Sequence, residues 1–173
     1  QVLDQMMHVF WQQGYEATSM RHLESATNLS PSSIYNAFGN KKALFEQTLS
    51  FYIQTVIDKR IEQHLITHED PLDGIRQFFT TTFYALPKSI EKRSCLLVNS
   101  AAELGQSEPL IGTTIRHGFK RVEQALENAL IDSKNKGCRQ TEQQSQQVKS
   151  NLDCHAAAKQ LGLLLPGFLI AVR

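Results

Sequence analysis

Most of what a catalytic centre needs is missing from this 173-residue chain. No clustered Ser/His/Asp, Cys/His or paired-carboxylate set is evident, which argues against an enzyme and against a resident cofactor. His64 and His68 stand four residues apart, a possible metal pair, but no third ligand accompanies them and a frayed helix end accounts for them. Three cysteines, Cys95, Cys138 and Cys154, are an odd number at irregular spacing. That suits reduced thiols and a cytoplasmic protein better than a disulfide framework. An excess of charge is missing too: 18 Lys and Arg stand against 17 Asp and Glu. The whole chain therefore has no field to draw it to nucleic acid or an anionic membrane, and any basic surface must be local.

Long apolar runs are also lacking. The most apolar stretch, LGLLLPGFLIAV from Leu161 to Val172, falls short of the ~20 residues a spanning helix requires, and Pro166 interrupts it. It reads as a buried or interface helix, with no membrane association. No basic leader with an apolar core opens the chain. The sequence starts at Gln1 without a methionine, so residues before Gln1 are expected to be missing.

What is present is helical. Leu3, Met6, Met7, Phe10 and Trp11 form one apolar stripe that Gly14 can terminate. Thr18 or Ser19 can cap a short helix, MRHLESA, with Met20, Leu23 and Ala26 turned inward. Ser30 before Pro31 is a stronger start: the hydroxyl accepts an orphan N–H, and proline takes the first helical position, where its missing donor costs nothing. Gly39 and Asn40 end that helix, and a long fourth helix is expected from Lys41 into the Ile61 to Leu65 region. Beyond Asp70-Pro71, stripes at Leu72, Ile75, Phe79, Phe83 and Leu86, then Cys95 to Leu104, then Ile111, Ile115, Phe119, Val122, Leu126 and Leu130 predict three more helices, the last closing near Gly137. The glutamine-rich stretch from Cys138 to Leu152 reads as a loop, and Asp153 can cap a final helix through Val172. There is no convincing strand pair and no internal repeat, so the fold class is all-α.

Within TNLSPSSIYNAFGNKKALF, Thr27 to Phe45, two short helices flank a tight turn with the spacing of a helix-turn-helix. Ser32 and Ser33 are small enough to let the second helix approach base edges in a major groove. Tyr35 and Lys41 can reach flanking phosphates, and the N–H groups opening the fourth helix add a further phosphate site. Taken alone, Tyr35 reads more plainly as a half-buried helix residue, and Lys42 is expected to be solvated.

FWQQGYEATSMRHLESATNLSPSSIYNAFGNKKALF, Phe10 to Phe45, resembles the TetR/AcrR family of bacterial transcriptional regulators, with glycine, caps, tyrosine and lysine in the family's register. CLLVNSAAELG, Cys95 to Gly105, resembles the sixth helix of one branch. The resemblance implies an N-terminal three-helix DNA-binding domain (1–48), joined by a long fourth helix to a helical effector-binding and dimerisation domain (49–173). It implies a DNA-binding set of Thr18, Ser19, Arg21, Pro31, Ser32, Ser33, Tyr35, Asn36 and Lys41. Double-stranded operator DNA, a small-molecule effector and a homodimer through the C-terminal helices would be the partners. Two departures stand out. Gln1 to Thr48 holds three basic residues (Arg21, Lys41, Lys42) against four acidic ones (Asp4, Glu16, Glu24, Glu46) and no basic arm. The family's ninth helix would also lie beyond Arg173.

In the second domain, Phe78, Phe79 and Phe83 with Val98, Asn99, Ala102, Glu103, Ile115 and Phe119 would line an apolar effector cavity, Asn99 and Glu103 being its polar anchors. A filled core is the plainer reading of the same aromatics. Cys95 follows Lys92, Arg93 and Ser94 at a helix start, where cations and helix N–H groups favour a reactive thiolate. That makes it a candidate sensor of oxidants or electrophiles, against the alternative of a small buried apolar residue. The function expected is a ligand-responsive repressor, with redox sensing through Cys95, or a helical small-molecule-binding protein or enzyme, as alternatives.

Overall fold

The computed structural model of the chain describes residues 2–83, 95–105, 107–141 and 153–171, and the side chains within them except at 83, 137–141 and 165–171. Among the described residues all regular structure is helical, as the 3.6-residue periodicity predicts. The order is α1 (Val2–Gln13), α2 (Met20–Thr27), α3 (Pro31–Phe38), α4 (Lys41–Tyr52), α5 (Asp58–Ile61), α6 (Pro71–Phe83), α7 (Leu96–Leu104), α8 (Pro109–Thr141) and α9 (Cys154–Ala171). The fourth helix does run on past Tyr52, as expected, but in a form the sequence reading does not anticipate. Two π-helical segments, Ile53–Ile57 and Glu62–Ile66, flank α5.

The cause is the spacing of its apolar residues. Phe45, Leu49, Ile53 and Ile57 are buried at every fourth position. In an α-helix each step of four carries a side chain about 40° past a full turn. The wider π turn takes up that drift. The second π segment does the same around Ile61 and Leu65, and it ends on a five-residue bond from Thr67 N to Glu62 O.

The chain divides into two compact units. The first comprises 1–57, 88–118 and 173. Its core is Met6, Phe10, Leu23, Ile34, Leu44, Phe45, Leu49 and Tyr52, with Leu96, Leu97, Val98 and Ile111 from α7 and α8. Phe10 meets Phe45 edge-on at 4.8 Å and Trp11 meets Tyr52 at 5.2 Å, geometries that add to simple area burial. Gly118 lies against Leu97 and Ile53, where a Cβ would force both side chains aside. Met20 and Ala26, expected inward on α2, are only half-buried; Leu23 and Thr27 are the buried pair.

The second unit comprises 58–87 and 119–172. Ile75 and Phe78 from α6 are buried there, as are Val122, Leu126, Ala129 and Leu130 from α8 and Ala158 from α9. The α6 stripe differs from the expected one: Ile75, Phe78 and Thr82 face inward, whereas Leu72 is exposed and Phe79 half-buried. On its surface Arg121 grips both oxygens of Asp58, Nε and Nη2 each at 2.8 Å. The helix expected to close at Gly137 runs through it to Thr141. One interior glycine costs only about 1 kcal/mol, too little to stop a helix already propagating for seven turns. Asp153 caps α9 as expected, its Oδ1 accepting from the amides of His155 and Ala156. Of the stretch expected to be a loop, 138–152, residues 138–141 are helical, and 142–152 lie outside the described residues with Leu86 and Val172.

Candidate nucleic-acid interface

The helix-turn-helix is held by its caps. Gly14 ends α1 at φ +80°, its N–H donating to Phe10 O. Ser19, rather than Thr18, caps α2 through a reciprocal pair: Ser19 Oγ accepts from His22 N, and His22 Nδ1 accepts from Ser19 N. Asn28 ends α2 at φ 56°, the one non-glycine in the left-handed region among the described residues and a residue type that tolerates it. Thr27 Oγ1 donates to Leu23 O and tightens the same turn.

Helix α3 then starts at Ser30, whose Oγ accepts from Ser33 N at 3.2 Å. That oxygen lies also within 2.9 Å of Ser32 Oγ and 2.8 Å of Ser33 Oγ, so three hydroxyls form one cluster at the helix start. Ile34 is the helix's one buried residue, 1% exposed, with Phe38 half-buried. Pro31, Ser32, Ser33, Tyr35 and Asn36 are all exposed, Tyr35 at 46%. A single deep anchor leaves the rest of an eight-residue helix free to enter a groove. Arg21 and Ser19 on α2 are exposed as well.

Asn40 opens α4, its Oδ1 accepting from Ala43 N at 2.9 Å. The two lysines that follow part company. Lys41 is half-buried, with Nζ 4.4 Å above the centre of the Tyr15 ring and donating to Glu16 O at 3.3 Å. Lys42, expected to be solvated, is ion-paired with Glu108. The bond to that carboxylate pushes the Lys42 ammonium above its usual range. Burial, then the nearby Glu16 and Glu108 charges, raise the Tyr15 phenol against the opposing pull of Lys42. Thr18 departs from its expected place in the DNA-binding set: it is 1% exposed and spends its hydroxyl proton on Gly14 O at 2.6 Å. It braces the α1–α2 turn from inside.

The residues expected to line an effector cavity fall in both units. Val98 and Ile115 are core in the first, beside a half-buried Asn99, while Ala102 and Glu103 are exposed. Phe78 is buried in the second with Phe79 edge-on to it at 5.8 Å, and Phe119 is half-buried there; the Phe83 side chain lies outside the described residues. Glu103 does not anchor an apolar cavity, because its carboxylate accepts from Tyr15 N at 2.7 Å. A cleft of about 690 Å³ within the second unit contains none of the expected residues. Ile61, Leu65 and Ala125 are among its lining, with Asp58, Glu62, Arg121, Gln124 and Asp132 adding polar and charged groups.

His64 and His68 turn to different partners: His64 Nε2 to Thr81 Oγ1, and His68 Nδ1 to Asp70 O. Among the described residues no three His, Cys, Asp or Glu side chains converge on a metal position, and no helix is long and apolar enough to cross a membrane. Tyr15 and Glu108 are the residues of this region that sequence reasoning missed, and Glu103 was assigned to the effector cavity instead. The Gly-aromatic pair at Gly14-Tyr15 signals a turn, but nothing in spacing ties it to carboxylates some 90 positions away.

The family model for bacterial regulatory proteins of the tetR family matches residues 2–48. The chain is 25% identical over 171 residues to the HTH-type transcriptional repressor ComR of Escherichia coli, covering 99% of this chain and 77% of that protein. It is 26% identical over 136 residues to the HTH-type transcriptional regulator YezE of Bacillus subtilis, covering 79% and 70%. Among solved structures it is similar to a cysteine mutant of the TetR-family regulator CifR in complex with a 26-base-pair operator duplex. That match has a TM-score of 0.79 at 21% identity and covers 99% of this chain and 84% of the other, a likeness of fold.

Proposed function

The chain belongs to the TetR family of bacterial regulatory proteins, and from that membership we propose that it is a transcriptional repressor that binds a palindromic operator as a homodimer and leaves it when a small molecule binds. Residues 1–48 are the DNA-binding domain in this reading, and 49–173 the effector-binding and dimerisation domain; the protein acts in the cytoplasm and is not an enzyme. The observation that carries it is α3, a capped helix with one deeply buried side chain and an outer face of Pro31, Ser32, Ser33, Tyr35 and Asn36. Small side chains at the helix start let the backbone close on base edges. Tyr35, Ser19 and Lys41 take flanking phosphates, and Arg21 reads a base. Lys41 is the cation best placed for this, since Lys42 is neutralised by Glu108.

Selection of bound duplexes from a random pool, repeated across a panel of metabolites, tests both halves of the reading. A recovered inverted repeat, with one compound that abolishes recovery, is the expected result. Recovery of no sequence would sink it. A second reading has its own observation: Cys95 stands at the start of α7 with the Tyr52 hydroxyl 3.3 Å from its sulfur. In that version an oxidant or electrophile reaching the thiol takes the place of a reversible ligand.

A further inference from the structure

One bond joins α7 to the turn that precedes the helix-turn-helix. Glu103 Oε2 accepts from Tyr15 N at 2.7 Å across 88 residues of sequence, within the first unit. Gly14 makes room for it. A Cβ there would run into the Glu103 carboxylate, and at φ +80° the position already favours glycine. The turn so held is also the seat of Lys41. Tyr15 lies nearly parallel to Phe10 at 6.4 Å and tilted against Phe45 at 4.9 Å, and places its ring under the ammonium. Glu16, the next residue, supplies the carbonyl to which that ammonium donates. Gly14 O takes the Thr18 hydroxyl and Tyr15 O takes Thr18 N, so the turn is bonded at successive peptides.

We propose that Glu103 is a positioning residue for DNA binding: by holding the Tyr15 amide it fixes the seat from which Lys41 meets a phosphate. The proposal rests on the reading that Lys41 grips the DNA backbone. It carries an unusual sign. A carboxylate near a DNA-facing surface repels phosphates, so electrostatics alone has its removal tightening the complex. Positioning requires the opposite.

The test uses the full chain and an operator duplex from the selection, with anisotropy titrations at several salt concentrations. Glu103→Ala should weaken binding about ten-fold, the factor that a lost charge-assisted hydrogen bond commonly produces. Its log–log salt slope should fall by about 0.9, the value for one phosphate contact. Glu103→Gln keeps an acceptor for the Tyr15 amide while shedding the charge, and should bind as well as wild type or more tightly. In a Lys41→Ala background Glu103→Ala should have no further effect, because the seat is already empty. Circular dichroism of each variant confirms the fold. Unchanged or tighter binding by Glu103→Ala, or an additive loss in the double variant, overturns the positioning role while a lowered Lys41→Ala slope leaves the phosphate reading standing. A Lys41→Ala slope equal to wild type overturns both.

Discussion

The Tyr52 hydroxyl, on the last residue of α4, donates a hydrogen bond to Cys95 Sγ at 3.3 Å, at the residue that starts α7. The thiol is half-exposed, so reagents can reach it, but one side of the sulfur is closed by a buried phenol. A bulky adduct at Cys95 crowds that phenol and the first turn of α7. Alkylation is therefore expected to release operator DNA, and Cys95→Ser to keep it bound under the same reagent. Mass spectrometry of the modified peptides, run beside anisotropy, decides the matter: release that tracks Cys154 or Cys138 instead of Cys95 would contradict it.

Cap energetics give a second prediction. Ser30 Oγ satisfies Ser33 N and gathers the two following hydroxyls, so Ser30→Ala should cost about 1 kcal/mol of stability. Asn28 stands at φ 56°, where a Cβ-branched residue is strained. Asn28→Val should cost about 1–2 kcal/mol and Asn28→Gly much less. Urea denaturation of the three variants provides the comparison. Equal stabilities for Asn28→Val and Asn28→Gly would show that the turn relaxes instead.

What the sequence discloses of this fold is local. Gly14, Ser19, Ser30, Gly39, Asn40 and Asp153 end or begin helices where their own chemistry says they should, because a cap is satisfied within four residues. The helix-turn-helix is legible for that reason. The π segments have a sequence correlate in the four-residue apolar spacing from Phe45 to Ile57, which a long fourth helix from Lys41 does not distinguish from an ordinary α-helix. The pairings of Glu103 with Tyr15 and Lys42 with Glu108 were not, since each is a long-range choice among many exposed carboxylates. The effector cavity suffered most. Helical period says which residues turn inward, but not whether the space they face is filled; Ala102 is exposed, and Glu103 holds the Tyr15 amide.

Helix α9 leaves Leu163 and Leu164 exposed, at 67% and 64%, beside each other on a helix with few charges. Two adjacent leucines in water are an unfavourable surface unless a partner covers them. In the proposed homodimer a second copy does so through a symmetric contact. Leu164→Glu, which places a charge in each half of that contact, is expected to shift the protein to monomer at micromolar concentration. Sedimentation velocity reads the result; a variant that remains dimeric puts the interface elsewhere on the chain.

Protonation of His64 should be felt as a loss of stability in mild acid. The ring is 5% exposed, its Nε2 paired with Thr81 Oγ1 from α6 and its Nδ1 without a partner among the described residues. Burial, followed by the positive charges of Arg60 and His68, holds its pKa below the ordinary value of about 6.5. Between the folded value and about 6.5 the unfolded chain binds the extra proton and the folded chain does not, so stability rises with pH through that window and levels off above it. Unfolding free energies measured in urea from pH 5 to 8 should show the decline beginning as the pH drops below about 6.5. His64→Leu, which removes the titrating group at similar volume, should flatten this limb relative to wild type. Parallel curves for the two proteins would mean that the acid limb belongs to other groups.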